Sequence, residues 1–174
     1  TDLVIGSDGR VWISYYDIGL KYLRYAMKDP STGEWTAALA DSGGGSSPDS
    51  GLFSSIALNS NEEPVISHYD NVKGSLRVAH WNGSGFSGTV VDEGEDLLDT
   101  DGSVIANASV GMFSSIAVDG DIEYIAYYDS AHGDLLLAHG GPAEYTLEKI
   151  DTEGDVGQWP DIVAIDGQIH ISYH

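Results

Sequence analysis

The sequence contains no cysteine. Disulfides and thiolate chemistry are therefore excluded, although the compartment is not thereby fixed, since many bacterial and archaeal surface proteins also lack the residue. Basic residues are scarce: 7 Lys and Arg stand against 28 Asp and Glu, for a net charge of −21. Neutralising phosphates needs lysine and arginine, so the composition argues against nucleic acid as a partner. No apolar run approaches the ~20 residues of a membrane span. No segment carries a convincing 3.6-residue hydrophobic period, so helices are not expected. The only arginines are Arg10, Arg24 and Arg77.

What is present suffices for a core. The chain has 174 residues, 41% hydrophobic and 20% charged, which suits one folded domain rather than a disordered chain. The excess acid fits a saline habitat, calcium sites or cationic partners, and repels itself over the surface.

One phrase recurs along the chain. VWISYYD (11–17), PVISHYD (64–70) and EYIAYYD (123–129) are followed by IHISYH at 169–174. Each full copy closes on an aspartate: Asp17, Asp70 and Asp129. At fixed offsets behind them come Leu23, Leu76 and Leu135, then Ala26, Ala79 and Ala138. An aromatic follows (Trp35, Phe86, Tyr145), and six residues beyond it a second aspartate: Asp41, Asp92 and Asp151. Then Gly51, Gly111 and Gly157 each precede an aromatic by two positions, and SSIAL, SSIAV and DIVAI restart the phrase.

Within each copy, four short segments rich in Val, Ile, Tyr and Ala are separated by Gly, Asn, Asp and Ser clusters. In the second copy they predict strands A to D at 54–58, 63–69, 75–81 and 86–92. Tight turns such as NVKG and NGSG make consecutive strands antiparallel neighbours. A four-stranded meander repeated every ~40–60 residues is the signature of a β-propeller. A β-sandwich would supply the strands but not the register of the repeat. The expected fold is thus all-β, a β-propeller of four-stranded antiparallel blades. Blades are expected at 1–41, 53–92 and 113–151, with a half blade at 160–174. About three and a half blades do not close a ring. The reading therefore expects completion by further blades of a longer chain or by a second subunit, with an exposed edge at the last strand.

These residues resemble the repeats of bacterial and archaeal secreted or cell-surface β-propellers, of ISYYD type, loosely sialidase-like and YVTN-like. The resemblance implies an extracellular or cell-surface location and blade architecture, and says little about activity. The sialidase Asp-box is absent; SDGRVW at 7–12 only echoes it.

Up-and-down blades would place the loops opened by all six repeated aspartates on one rim, with the long segments 41–52 and 92–112. Two roles compete for the ISYYD residues. As structure, the aspartates cap hairpin N–H groups and the aromatics pack between blades. As function, Tyr15, His68, Tyr127 and Tyr173, with Asp17, Asp70 and Asp129, form a hydrogen-bonding aromatic ring suited to glycan or peptide ligands. The acidic segment 92–102, DEGEDLLDTDG, offers Asp92, Glu95, Asp99 and Asp101 as calcium ligands, or else is a solvated loop. His80 and His139 occupy equivalent positions one blade apart, too far to share a metal unless they point into the channel. No catalytic residue is assigned, since neither a Ser-His-Asp spacing nor an arginine cluster stands out. The function expected is a non-catalytic scaffold or binding module for protein or glycan partners. The alternative is part of a carbohydrate-active propeller enzyme, a glycosidase or polysaccharide lyase.

Overall fold

The computed structural model describes residues 1–44 and 48–174, and every regular element among them is a strand. Blade 1 comprises β1 (Asp2–Ile5), β2 (Val11–Asp17), β3 (Tyr22–Lys28) and β4 (Trp35–Asp41). Blade 2 comprises β5 (Ser50–Leu58), β6 (Pro64–Asp70), β7 (Ser75–Trp81) and β8 (Phe86–Asp92). A small hairpin follows, β9 (Leu97–Leu98) and β10 (Val104–Ala106). Blade 3 comprises β11 (Val110–Asp119), β12 (Ile122–Asp129), β13 (Asp134–Gly141) and β14 (Glu144–Asp151). β15 (Asp161–Ile165) and β16 (Gln168–Ser172) form a two-stranded unit after it. Each blade is an antiparallel meander with its strands in chain order. The architecture is that of an all-β propeller without a closed ring.

The core lies between blades. Trp12, Leu23 and Tyr25 pack against Ile56, Ile66 and Ala79 across the first boundary. Val65, Leu76 and Val78 meet Val110, Ile125 and Tyr127 across the second. Burial therefore tracks position in the array. β6 lies between two blades and β12 between blade 2 and the β15–β16 unit, and both are buried along essentially their whole lengths. β14 is an outer strand, mostly exposed, and carries the charges of Glu148 and Lys149, which discourage edge pairing.

Hydrogen bonds tie the innermost strands. Asp2 accepts from the Ser55 hydroxyl and the Ile56 amide, both at 2.9 Å. Ser55 in turn accepts from the Ile116 amide at 3.3 Å, and Ser115 from the Ile162 amide at 3.3 Å. Behind them, buried serine pairs join second strands to the next blade: Ser14 to Ser54 at 3.1 Å and Ser67 to Ser114 at 3.0 Å. The small serines of the repeat thus satisfy each other where blades approach closely.

Two details differ from the sequence reading. The innermost strand of blade 2 begins at Ser50, not at 54, because a bulge lets the ladder continue: Leu52 faces Tyr69 and Ser55 faces Ser67. Gly51 makes this possible. Its φ is 116°, and a Cβ there would lie 2.6 Å from the Leu23 Cα of blade 1. Gly111 and Gly157 meet Leu76 and Leu135 in the same way. The second difference is in 92–112, expected as loop, which carries the β9–β10 hairpin. Asp99 and Gly102 close its turn, with Asp99 N donating to Ser103 O at 2.7 Å and Gly102 N to Asp99 O at 2.9 Å.

Candidate functional site

The loops opened by the six repeated aspartates share one rim, where they are stitched together. The Ser50 amide donates to Lys21 O at 3.1 Å, Val110 to Gly74 O at 2.9 Å and Val156 to Gly133 O at 3.0 Å. Each crossover between blades is thereby held to the hairpin beside it.

The aspartates at the ends of β2, β6 and β12 are caps. Asp17 Oδ1 accepts from the Gly19 and Leu20 amides, Asp70 Oδ1 from Val72 and Lys73, and Asp129 Oδ1 from Ala131 and His132. The aspartates at the ends of β4, β8 and β14 join blades. Oδ1 of Asp41, Asp92 and Asp151 accepts from the amide two residues on. Oδ2 faces the next blade, meeting His68 Nε2 at 3.2 Å, Tyr127 OH at 2.7 Å and Tyr173 OH at 2.7 Å respectively. The following aromatic also bonds across: Tyr16 to Asp49, Tyr69 to Ser109 at 2.9 Å and Tyr128 to Asp155 at 2.6 Å.

The expected ligand residues therefore lie at blade boundaries. His68, Asp70, Tyr127 and Asp129 are buried, and their polar atoms are engaged within the fold. Tyr15 makes no side-chain hydrogen bond among the described residues. Of the carboxylates named for calcium, Asp92 serves Tyr127 and Gly94, Asp99 accepts from the Thr100 amide, and Asp101 from the Ser103 amide. Among the described residues no three His, Asp or Glu side chains converge as a metal site.

Two electrostatic clusters escaped the sequence reading. Asp41 takes a second partner, Arg77 Nε at 2.8 Å, so a buried carboxylate sits between a histidine and a guanidinium. Burial alone would raise the Asp41 carboxyl. The hydrogen bonds from His68 and Arg77, the charge of His68 and the Gly43 amide outweigh it and hold the group well below the usual range. Arg24, the repeat equivalent of Arg77, instead meets Asp17 at 3.3 Å. At the opposite rim, buried Glu123 accepts from Tyr145 and lies 2.9 Å from His80 Nε2. Burial and that bond push the Tyr145 phenol far up. Glu123 stands where blade 2 has Pro64, so the repeat gives no sign of this cluster. His139, the equivalent of His80, pairs separately with Glu148 at 2.7 Å.

Two grooves open beside the boundaries on the loop rim. One, of about 530 Å³ between blades 1 and 2, is lined by Gly43, Lys73, Ser75, Arg77 and Val90, and by Glu93, Gly94, Asp96 and Ala108 of the next crossover. The other, of about 480 Å³ between blades 2 and 3, is lined by Asp92, Gly94, Tyr127, His132, Leu136, Leu147 and Lys149, among others. The two correspond in the repeat: Gly43 to Gly94, Lys73 to His132, Arg77 to Leu136 and Val90 to Lys149. Both sizes suit a small ligand. In the second groove, Tyr127, Leu136 and Leu147 offer apolar surface. His132, held at 2.8 Å by Asp129, and Lys149 offer hydrogen bonds.

No protein-family model matches the sequence, and no curated protein matches it. Solved structures do share the fold. A bifunctional GH43-CE protein of Bacteroides eggerthii superposes with a TM-score of 0.54 at 12% identity, over 94% of this chain and 20% of that one. A GH43_1 enzyme from Xanthomonas citri gives 0.54 at 10% identity, over 99% of this chain and 61% of that one. A fucose lectin from Kordia zhangzhouensis, in complex with methyl-fucoside, gives 0.50 at 12% identity, over 87% of this chain and 99% of that one. The chain thus spans a fifth of the first and about three-fifths of the second. At these identities the likeness is one of fold, in agreement with propeller blades.

Proposed function

We propose that this chain is a non-catalytic, glycan-binding β-propeller segment that works outside the cell, with the inter-blade grooves as its sugar sites. The observation that carries this reading is that four positions of the repeat line a groove in both cases: Gly43 and Gly94, Lys73 and His132, Arg77 and Leu136, Val90 and Lys149. Sugars present apolar C–H faces and a rim of hydroxyls, and the blade 2–3 groove pairs Leu136, Leu147 and Tyr127 with His132 and Lys149 in that sense. Repetition adds avidity when a polysaccharide occupies more than one groove. The shared fold with a fucose lectin supports the reading.

A glycan array probed with the purified chain tests the proposal. Retention of a defined set of glycans is expected, weakened at least tenfold by a His132→Ala, Lys149→Ala double variant whose circular dichroism at the assay temperature matches that of the wild type. Retention of none, or equal binding by the variant, overturns it. The enzymatic reading rests on the His132–Asp129 pair, which has the geometry of a base and its orienting carboxylate. Formation of unsaturated uronate from a polyuronate, read by its ultraviolet absorbance and abolished by His132→Ala, would favour it instead.

A further inference from the structure

The two grooves share a position but not a chemistry. The chain has only 7 basic residues, yet two of them, Lys73 and Arg77, line the groove between blades 1 and 2. Arg77 gives Nε to Asp41 at 2.8 Å, and its terminal nitrogens make no hydrogen bond among the described residues. Lys73 has no carboxylate partner among them. Between the two stands Ser75, only 1% exposed, whose hydroxyl has no hydrogen-bond partner among the described residues. A buried hydroxyl left unpaired costs about 1–3 kcal/mol, so one in a groove wall marks a place where a ligand atom completes the bonding.

The same groove is also lined by two acids, Glu93 and Asp96, with Asp96 accepting from the Ala108 amide at 2.7 Å. A bare polyanion would meet those carboxylates. A sugar acid would not be so opposed, since its carboxylate can face Arg77, Lys73 and Ser75 while its hydroxyls donate to Glu93 and Asp96. In the neighbouring groove the set is absent. Leu136 replaces Arg77, His132 replaces Lys73, and Asp134, already bonded by Lys149 at 3.2 Å, replaces Ser75.

We infer that the groove between blades 1 and 2 selects a uronic-acid residue of a glycan, with Arg77, Lys73 and Ser75 receiving its carboxylate. The inference rests on the reading of the grooves as glycan sites. Arg77 suits the task, because a planar guanidinium fixed by Asp41 presents its remaining donors in a fixed direction.

Amide chemical-shift titration of the full chain separates the two levels. The probes are the methyl glycosides of glucuronate and galacturonate and their neutral counterparts, methyl glucoside and methyl galactoside. At least one uronide is expected to shift the amides of Lys73, Ser75 and Ala108, at least fivefold tighter than its neutral counterpart and more weakly as sodium chloride rises. Ser75→Ala and Lys73→Gln should each weaken it at least threefold, and His132→Ala should not. Ser75→Ala should also leave the melting temperature equal or higher, which a merely structural hydroxyl would not. Equal binding of uronide and neutral sugar at these amides overturns the selectivity while leaving the grooves as glycan sites. Shifts by no sugar at either groove overturn both.

Discussion

One aspartate per blade does two things. Asp41, Asp92 and Asp151 each cap their own loop with one oxygen and hold the next blade with the other. The first boundary uses His68 with Arg77, while the second uses Tyr127 with Leu136, so the chain contains two solutions to the same contact. Arg77→Leu alone removes one partner of a buried carboxylate, and about 3–5 kcal/mol of destabilisation is expected in urea denaturation. Adding His68→Tyr converts the first boundary toward the second and should recover a coupling of about 1–3 kcal/mol. The pH dependence follows from the same groups. The Asp41 carboxyl is held below its unfolded value of about 3.9, so its stabilisation is complete above that value and is lost as pH falls through the folded one. Burial and the charge and hydrogen bond of Asp92 push the Tyr127 phenol far up. Its stabilisation is therefore complete below the unfolded value of about 10 and lost as pH rises beyond it. Denaturation midpoints across pH should show both limbs, with Asp41→Asn flattening the acid one and Tyr127→Phe the alkaline one.

At the scale of the element, the glycine at the start of β5 and of β11, with Gly157 ahead of β15, is the tightest constraint. Gly111→Ala places a Cβ 2.6 Å from the Leu76 Cα at a φ of 100°, and should cost about 2–5 kcal/mol. Gly102→Ala, in the β9–β10 turn with open space around it, meets only the conformational penalty and should cost about 1 kcal/mol. Melting curves of the two variants check the contrast. The strands, their order and the shared rim were legible in the sequence because alternating Val, Ile and Tyr and the turn residues recur at fixed offsets. The Gly-x-aromatic spacing was legible too, but not its purpose, since the contact of Gly51 with Leu23 lies between blades. The acidic segment 92–102 hid its hairpin, because two apolar residues at Leu97–Leu98 are too few for a period. The role of Arg77 was illegible for a related reason. Its partner Asp41 lies 36 residues away, and blade 3 has neither an arginine nor a histidine at the equivalent places.

Over the whole molecule, a net charge of −21 repels itself, and few of the carboxylates are paired with bases. Raising sodium chloride from 50 mM to 1 M should therefore raise the melting temperature by several degrees, as screening shortens to about 3 Å. An unchanged melting temperature would mean that the acids are compensated locally. Charge also shapes what the rim can hold. The two grooves adjoin at Glu93 and Gly94, which line both, and otherwise differ in their walls, so a heteropolysaccharide with alternating neutral and acidic sugars suits the pair better than either homopolymer. The central claim is that glycans bind between blades, not on the axis or the opposite rim. It is tested most directly by mapping amide shifts of the full chain on titration with such an oligosaccharide. The account predicts shifts confined to Lys73, Ser75 and Ala108 in one groove and His132, Leu136 and Leu147 in the other. Shifts centred instead on the opposite rim around His80 and Glu123, or along the innermost strands, would contradict it.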